Sequence, residues 1–415
     1  MAVAEAVKAV TLKIDDREIT VPGGTTLYDA ARSLGVHIPT LCHEPKLNPV
    51  GVCRVCVVEV QGARVLAPSC CRLAEEGMVV RTDSERVVKS QRMLVELLMA
   101  DHPAPCEKHR RTYDCELEVL AERYGVTASR LSRRVRPDGR DASSKAIHVD
   151  HNACILCDRC IRACTDLQSN DVIGRSGKGF MAKIGFDFDL PMGRSTCVSC
   201  GECVAACPTG ALLDKPLVAE RTAAAKKVNS VCPYCGVGCS IAYHVQEGRI
   251  VGVTGRDSPV NHGRLCVKGR YGYDYAHHKD RLTVPLIRKE GAPKDPEALA
   301  DPREAFREAS WDEAMDLAAR TFLSIREGHG SSALAGFGSA KCSNEDNYLF
   351  QKLIRVVFGT NNVDHCTRLC HASSVAALME QIGSGAVSNV FADVGLADVA
   401  LVAGSNTEAN HPVAA

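Results

Sequence analysis

The sequence has no excess of charge: 50 Lys and Arg balance 50 Asp and Glu over 415 residues. A protein that is drawn to nucleic acid or a membrane surface by its overall field needs an imbalance, so neither partner is expected. The locally basic run RLSRRVRPDGR (130–140) reads as a solvated linker with a turn at Pro137-Asp138-Gly139. No apolar stretch approaches the roughly 20 residues that span a bilayer. A secretory signal and a glycine-rich dinucleotide fingerprint are lacking too. The first of these matters because there are 22 cysteines. Without export, thiols clustered at short spacings point to metal binding in a reducing cytoplasm rather than to disulfides.

The densest cluster lies at 154–207. Cys154, Cys157, Cys160 and Cys164 stand at CxxCxxCxxxC spacing, and Cys197, Cys200, Cys203 and Cys207 repeat it ahead of Pro208. A four-iron cubane needs four converging thiolates, and spacings of two let one turn of backbone present three of them. The fourth cysteine of each run serves the other half's cluster. One cubane is therefore expected on Cys154, Cys157, Cys160 and Cys207, the other on Cys197, Cys200, Cys203 and Cys164. Zinc is the competing metal, but zinc ribbons pair two CxxC arms rather than doubling an eight-cysteine figure.

Upstream, residues 10–21 alternate apolar and polar around Asp15-Asp16-Arg17, which predicts a hairpin. Thr26 and Asp29 form a capping box before a helical face of Leu27, Ala30, Ala31 and Leu34, which Gly35 stops. Cys42, Cys53, Cys56 and Cys70 follow with gaps of ten, two and thirteen residues. Hairpin, helix and cysteine loop is the order of a β-grasp ferredoxin, here with a longer first gap than plant-type ferredoxins use. The segment resembles the amino-terminal two-iron domain of the large iron–sulfur subunit of respiratory complex I and of iron-only hydrogenases, through GVCRVCVVEV and SCCRLAEEGMVV. That resemblance implies Cys70 as the fourth ligand and Cys71 as a bystander; the residues alone leave both thiols open.

After an apolar helix (Met93, Leu94, Leu97, Leu98) comes DHPAPCEKHRRTYDC. The same two families place a further cubane here on a His-x3-Cys-x2-Cys-x5-Cys motif. His102, Cys106 and Cys115 fall on the family positions, while His109 stands where the second cysteine belongs. Imidazole can ligate iron, so one reading keeps a cubane with two histidines. The other loses the cluster.

Within the double-cubane unit, Phe180, Ile184, Phe186 and Phe188 suggest a hairpin between its two halves, and after it 216–229 reads as a linker or connecting helix. VCPYCGVGCS then supplies Cys232, Cys235 and Cys239, and GRLCVKGR supplies Cys266, across a predicted hairpin at 241–253 turning on Glu247-Gly248. Together they resemble the proximal-cluster domain of molybdenum and tungsten enzymes that bind two pterin guanine dinucleotides. The resemblance implies a cubane on these four cysteines and a role for Lys268 in passing electrons between it and a pterin.

From Ser310 the pattern becomes α/β. A capping box at Ser310 and Glu313 precedes a helix to about Ile325, followed by a strand at 333–337, a helix at 345–358 and a strand at 397–403. Such alternation implies a parallel sheet with ligands beyond its carboxyl ends. Two loops are expected there, Lys341-Cys342-Ser343-Asn344 and Gly404-Ser405-Asn406, and the family uses both to hold the pterin dinucleotides. Between them VDHCTRLCHASSVAAL puts Cys366 and Cys370 in a loop before a helix starting near Ser373. A thiolate near a helix amino terminus is electrostatically favoured and suits a soft metal.

Cys370 followed by His371 resembles the metal-ligand loop of formate dehydrogenases. The resemblance implies oxidation of formate to carbon dioxide at molybdenum or tungsten held by two pterins and the Cys370 thiolate. His371, of a residue type that titrates near neutral pH, would orient formate or take its proton. Electrons would leave through Lys268 and the clusters to a complex I-like partner carrying flavin and NAD. The expected architecture is thus multidomain α+β and α/β. It comprises a two-iron ferredoxin (10–90), a His/Cys segment (91–146), a double four-iron ferredoxin (147–215), a four-iron domain (228–285) and the amino-terminal part of a pterin-binding α/β domain (286–415). Family members continue well beyond residue 415, so a truncated chain, inactive alone, is expected. Nitrate reduction, and an electron-transfer subunit with a vestigial pterin fold, are the competing functions.

Overall fold

The computed structural model describes residues 8–135, 139–387 and 389–413, so Pro137 and Asp138 of the expected turn lie outside the described residues. Two units make up the chain: Met1–Ser230 with Ile241–Asp274, and Val231–Ser240 with Tyr275–Ala415.

The first unit opens with β1 (Ala9–Ile14) and β2 (Arg17–Pro22), antiparallel with Leu12 opposite Ile19. Asp15 and Asp16 both take positive φ, as a two-residue turn between twisted strands requires. Thr26 caps α1 (Leu27–Ser33) by accepting the Asp29 N–H at 3.1 Å. Strands β3 (Val57–Val60), β4 (Ala67–Pro68) and β5 (Val79–Arg81) complete a five-stranded sheet of order β2-β1-β5-β3-β4, in which β1 and β5 run parallel. Leu27, Ala30 and Ala31 pack with Leu12, Ile14, Val58 and Val80, and Cys56 and Cys70 lie in the same core.

Helix α2 (Glu85–Met99) is followed by α3 (Glu107–Thr112) and α4 (Glu116–Arg123), whose caps are Cys106 and Cys115. Both cysteines share a second core with Cys42, Cys53, Val95, Leu117 and Cys157. Strands β6 (Arg140–Asp141) and β7 (Ile147–Asp150) then lead to α5 (Arg159–Arg162). Next come the hairpin β8 (Ile173–Ser176) and β9 (Lys183–Phe186), then α6 (Glu202–Ala206) and β10 (Leu212–Asp214). Ile184 and Phe186 of the expected hairpin are buried, whereas Phe188 is 98% exposed. Residues 216–225 form no helix; bends and a turn lead into β11 (Lys226–Val231), beside the hairpin β12 (Ser240–Gln246) and β13 (Arg249–Gly255). A five-residue helix, α7 (Val267–Tyr271), follows Cys266.

In the second unit, β14 (Leu286–Arg288) pairs with β15 (Phe306–Glu308) ahead of α8 (Trp311–His329). Ser310 caps α8 as expected, but Glu313 turns to Arg307 instead of closing the box. Strand β16 (Gly336–Gly338) starts later than the sequence suggests, because Ser331–Ala333 makes a helical turn first. Helix α9 (Asn344–Lys352) leads to β17 (Val363–His365), which pairs in parallel with β16. The chain continues with α10 (Thr367–Cys370), α11 (Ala372–Ile382) and α12 (Thr407–Asn410). The expected strand at 397–403 does not form. Val399 and Leu401 are 86% and 94% exposed, and no strand pairs with them among the described residues. An apolar run becomes a strand only where a neighbour takes up its backbone hydrogen bonds.

Gly201 shows how tightly the first unit is built. Its φ is +78°, and a Cβ there would lie 2.3 Å from Arg270 Cδ and 2.6 Å from the Tyr271 hydroxyl. Gly125, with φ +62° and open space around it, isolates the backbone part of the cost. Gly125→Ala is expected to destabilise by about 1 kcal/mol and Gly201→Ala by clearly more, read as denaturant midpoints of cluster absorbance.

Candidate functional site

Both halves of the 154–207 region share one backbone device. Leu156 and Asp158 flank Cys157 with positive φ, and Ser199 and Gly201 do the same around Cys200. The left-handed residue before each second cysteine aims its N–H back at the first cysteine's sulfur: Leu156 N to Cys154 Sγ at 3.5 Å, Ser199 N to Cys197 Sγ at 3.4 Å. Left-handed conformations cost a non-glycine residue roughly 1–2 kcal/mol. Their repetition at matching positions marks them as part of the thiol-presenting loop.

A cavity is walled by Cys154, Cys157, Cys160 and Cys207, together with Ile184, Pro208 and Leu212. Burial, reinforced by the neighbouring cysteines, pushes Cys157 and Cys160 well above the usual thiol range. In the other half Cys203 is likewise raised by burial and faces Cys200, Cys197 and Cys164, while burial lifts Cys200 to about 11. Buried thiols gathered around a space are a donor set that iron can use, since a cluster's positive irons offset the thiolate charges that burial disfavours.

Residues 42–71 bring together Cys42, Cys53, Cys56 and Cys70, all buried, while Cys71 is exposed. Thiol hydrogen bonds from Cys53 and Cys70 pull Cys42 down to about 2, and a bond from Cys70 pulls Cys56 to about 7. Thiol protons thus sit where a small two-iron cluster would bind, and loading would release them. Arg162 ties this loop to the first cubane loop, donating to the carbonyls of Cys42 at 2.6 Å and Cys157 at 3.4 Å. Beside it the buried Arg159 grips Glu116 through two bonds of 2.7 and 2.9 Å and the His43 carbonyl at 2.7 Å. Arg270 pairs with Glu202 at 2.6 Å and reaches the Cys200 carbonyl at 2.8 Å, anchoring the helix that carries Lys268 against the second half. Sequence reading missed all these residues, because ion pairs between distant positions leave no local pattern.

At 102–118 the structure departs from expectation. His102, Cys106 and Cys115 converge, but His109 does not join them; its Nε2 faces Glu122 at 3.5 Å and its ring packs edge-on against Tyr113. Glu118 takes the fourth place, one helical turn after Cys115. Its Oε1 lies 3.1 Å from His102 Nε2 and accepts the Cys106 N–H at 2.8 Å. Burial lowers the His102 pKa, but Cys106 and Glu118 outweigh it and hold the imidazole near 9. The Cys115 thiol and then His102 draw Cys106 down to about 5.

In the second unit the loops after β16 and β17 meet: Ala340 N–H donates to Cys366 Sγ at 3.3 Å. Ser343 is occupied as the α9 cap with Asp346, and Lys341 and Cys342 are exposed. Cys370 does not lie in a loop; it closes the four-residue α10, and His371 caps α11. All three of Cys366, Cys370 and Leu369 are exposed. The Gly404-Ser405-Asn406 loop follows no strand, and Asn406 caps α12. Cys232 N–H donates to the Cys239 carbonyl at 2.9 Å across their loop.

Four families match in order along the chain. Residues 7–85 match a 2Fe-2S iron-sulfur cluster binding domain and 153–211 a 4Fe-4S dicluster domain. Residues 225–278 match the molybdopterin oxidoreductase Fe4S4 domain, and 281–415 molybdopterin oxidoreductase itself. The chain carries 2Fe-2S, 4Fe-4S and molybdopterin oxidoreductase domains. The NADPH-Fe(3+) oxidoreductase subunit alpha of Geobacter sulfurreducens is 36% identical over 408 residues, covering 96% of this chain and 45% of that protein. A Staphylococcus aureus protein named "Putative formate dehydrogenase" is 31% identical over 447 residues, covering 98% and 44%. This oxidoreductase chain therefore spans less than half the length of the curated relatives it matches. A solved NAD+-reducing nickel–iron hydrogenase is 33% identical, covers 51% of this chain and 88% of its own, and superposes with a TM-score of 0.46. No helix among the described residues is long and apolar enough to cross a membrane.

The burial contrast between the adjacent thiols is directly testable. Cys70→Ala is expected to abolish the two-iron signal in the EPR spectrum of the reduced protein, and Cys71→Ala to leave it intact.

Proposed function

We propose that this chain is part of a formate dehydrogenase catalytic subunit that passes electrons through its iron–sulfur clusters to an NAD-reducing partner. The observation that carries the reading is the exposed Cys370 thiol next to the half-buried His371 within a matched molybdopterin oxidoreductase domain, on the segment that follows β17. Exposed thiol, imidazole and small-residue loop lie on segments that follow the carboxyl ends of two parallel strands, the side where α/β sheets take ligands. These residues fit a pterin-held metal: a soft thiolate for the ion, and uncrowded backbone at 339–342 for phosphates. When bound, molybdenum or tungsten supplies the acceptor for two electrons from the formate C–H bond.

The chain's own residues then have defined tasks. Cys370 supplies the sulfur ligand just before the amino terminus of α11, where the helix dipole favours a thiolate. His371 positions the formate carboxylate or takes its proton. Lys341, Cys342, Ser343 and Asn344 approach one pterin dinucleotide, with Gly404, Ser405 and Asn406 offering a second small-residue contact. Cys232, Cys235, Cys239 and Cys266, all inside the matched Fe4S4 domain, hold a cubane, with Lys268 adjoining it in sequence. Two further cubanes take Cys154, Cys157, Cys160 and Cys207, and Cys197, Cys200, Cys203 and Cys164. Cys42, Cys53, Cys56 and Cys70 hold the two-iron cluster.

The Geobacter relative's name favours a second reading, in which the iron–sulfur domains serve nucleotide-linked electron transfer and formate is not the substrate. Formate added to the intact oxidoreductase separates them. The proposal expects reduction of the clusters by formate, with Cys370→Ser lowering that rate at least about a thousandfold while dithionite still reduces every cluster. Clusters that formate never reduces, in a protein loaded with metal and pterin, would exclude it.

A further inference from the structure

The resemblance read from the sequence implies a cubane at 102–115, and the structure does not fit one. A cubane puts each ligand on a different iron, so its ligand atoms stand apart around a cage. The ligand atoms of His102, Cys106, Cys115 and Glu118 instead all lie within 4.8 Å of one another. Two of these spacings are 3.1 Å, from Glu118 Oε1 to His102 Nε2, and 3.7 Å, from Cys115 Sγ to His102 Nε2. Zinc bonds of about 2.0–2.3 Å at tetrahedral angles put ligand atoms roughly 3.3–3.8 Å apart. Among the described residues no other three His, Cys, Asp or Glu groups approach so closely.

We propose that His102, Cys106, Cys115 and Glu118 form a mononuclear, tetrahedral site for a zinc-class divalent cation in place of the cubane. The donor set is two thiolates, one imidazole and one carboxylate, all four residues buried. Closure by four protein ligands is the mark of a structural rather than a catalytic zinc. Its position explains the role: Cys106 and Cys115 cap two short helices inside the core that also holds Cys42, Cys53 and Cys157. Gly210 closes in on the same site, since a Cβ there would stand 3.0 Å from Cys106 Sγ. A redox-inert ion here would brace the junction between the two-iron loop and the first cubane loop without carrying electrons. The inference is independent of the formate reading.

The test is metal analysis and zinc-edge X-ray absorption on the full chain purified without oxygen, with Cys106→Ser and Glu118→Gln alongside. The expected result is one zinc per chain in a shell of two sulfurs and two light atoms, lost in Cys106→Ser. Glu118→Gln, close in shape, is expected to weaken zinc retention against a chelator at least tenfold. A retained two-iron EPR signal in each variant certifies the fold. Two outcomes would overturn the proposal: a cubane EPR signal that disappears in Cys106→Ser with no zinc present, or a Cys106→Ser variant whose metal content equals that of the wild-type chain.

Discussion

Thiolate sulfur resists burial, and the first unit buries most of its thiols. Cys42, Cys56, Cys70, Cys115 and Cys160 are each at most 6% exposed. Desolvation disfavours the charged form of every one, so each stays a neutral thiol unless something offsets the charge of its thiolate. Neighbouring thiol protons do so at 42–70, and the Cys115 thiol and then His102 do so for Cys106 at 102–118. Around the Cys154 cavity nothing comparable does, and there the thiols are driven upward. Metal supplies the missing positive charge, so folding and loading are coupled. The glycine and left-handed positions around these loops follow from the same demand, because several sulfurs must be turned toward one point over a short length of chain.

Much of this was legible in the sequence. Cysteine spacing is a local pattern, and local backbone geometry converts it almost directly into convergence for Cys154, Cys157 and Cys160, while Cys207 is assigned to them from the crossed arrangement of double-cubane ferredoxins. Caps at Thr26 and Ser310 and the turns at Asp15-Asp16 and Glu247-Gly248 are equally local. What escaped was non-local. Glu118 has a spacing signal, three residues after Cys115 and so on the same helical face, but carboxylates on helices are too common for it to stand out. Arg162, Arg159 and the Arg270–Glu202 pair join positions dozens of residues apart, and nothing in either segment names its partner. The strand expected at 397–403 failed for a related reason, since hydrophobicity predicts burial but not the neighbour that completes a ladder.

The charged groups between the cluster sites do more than fill space. Arg162 is bonded to cysteine carbonyls in two different loops, and Arg270 to one in a third. A guanidinium holds several bonds in a fixed plane, which sets distances between loops that share no strand. Removing Arg270 would leave the buried Glu202 carboxylate with only the Leu265 N–H as partner, so this pair helps to fix the spacing between the loops it joins. On the proposed reading that spacing is what electron transfer requires, and a structural ion at His102–Glu118 would stiffen it further.

Arg162 holds the Cys42–Cys70 site and the Cys154–Cys207 site together as one pair. Stepwise reduction of the intact protein followed by EPR tests it most directly. The account predicts that the two-iron signal broadens or splits through dipolar coupling as the neighbouring cubane becomes paramagnetic. A two-iron signal whose line shape stays unchanged through full reduction of the cubanes would contradict it.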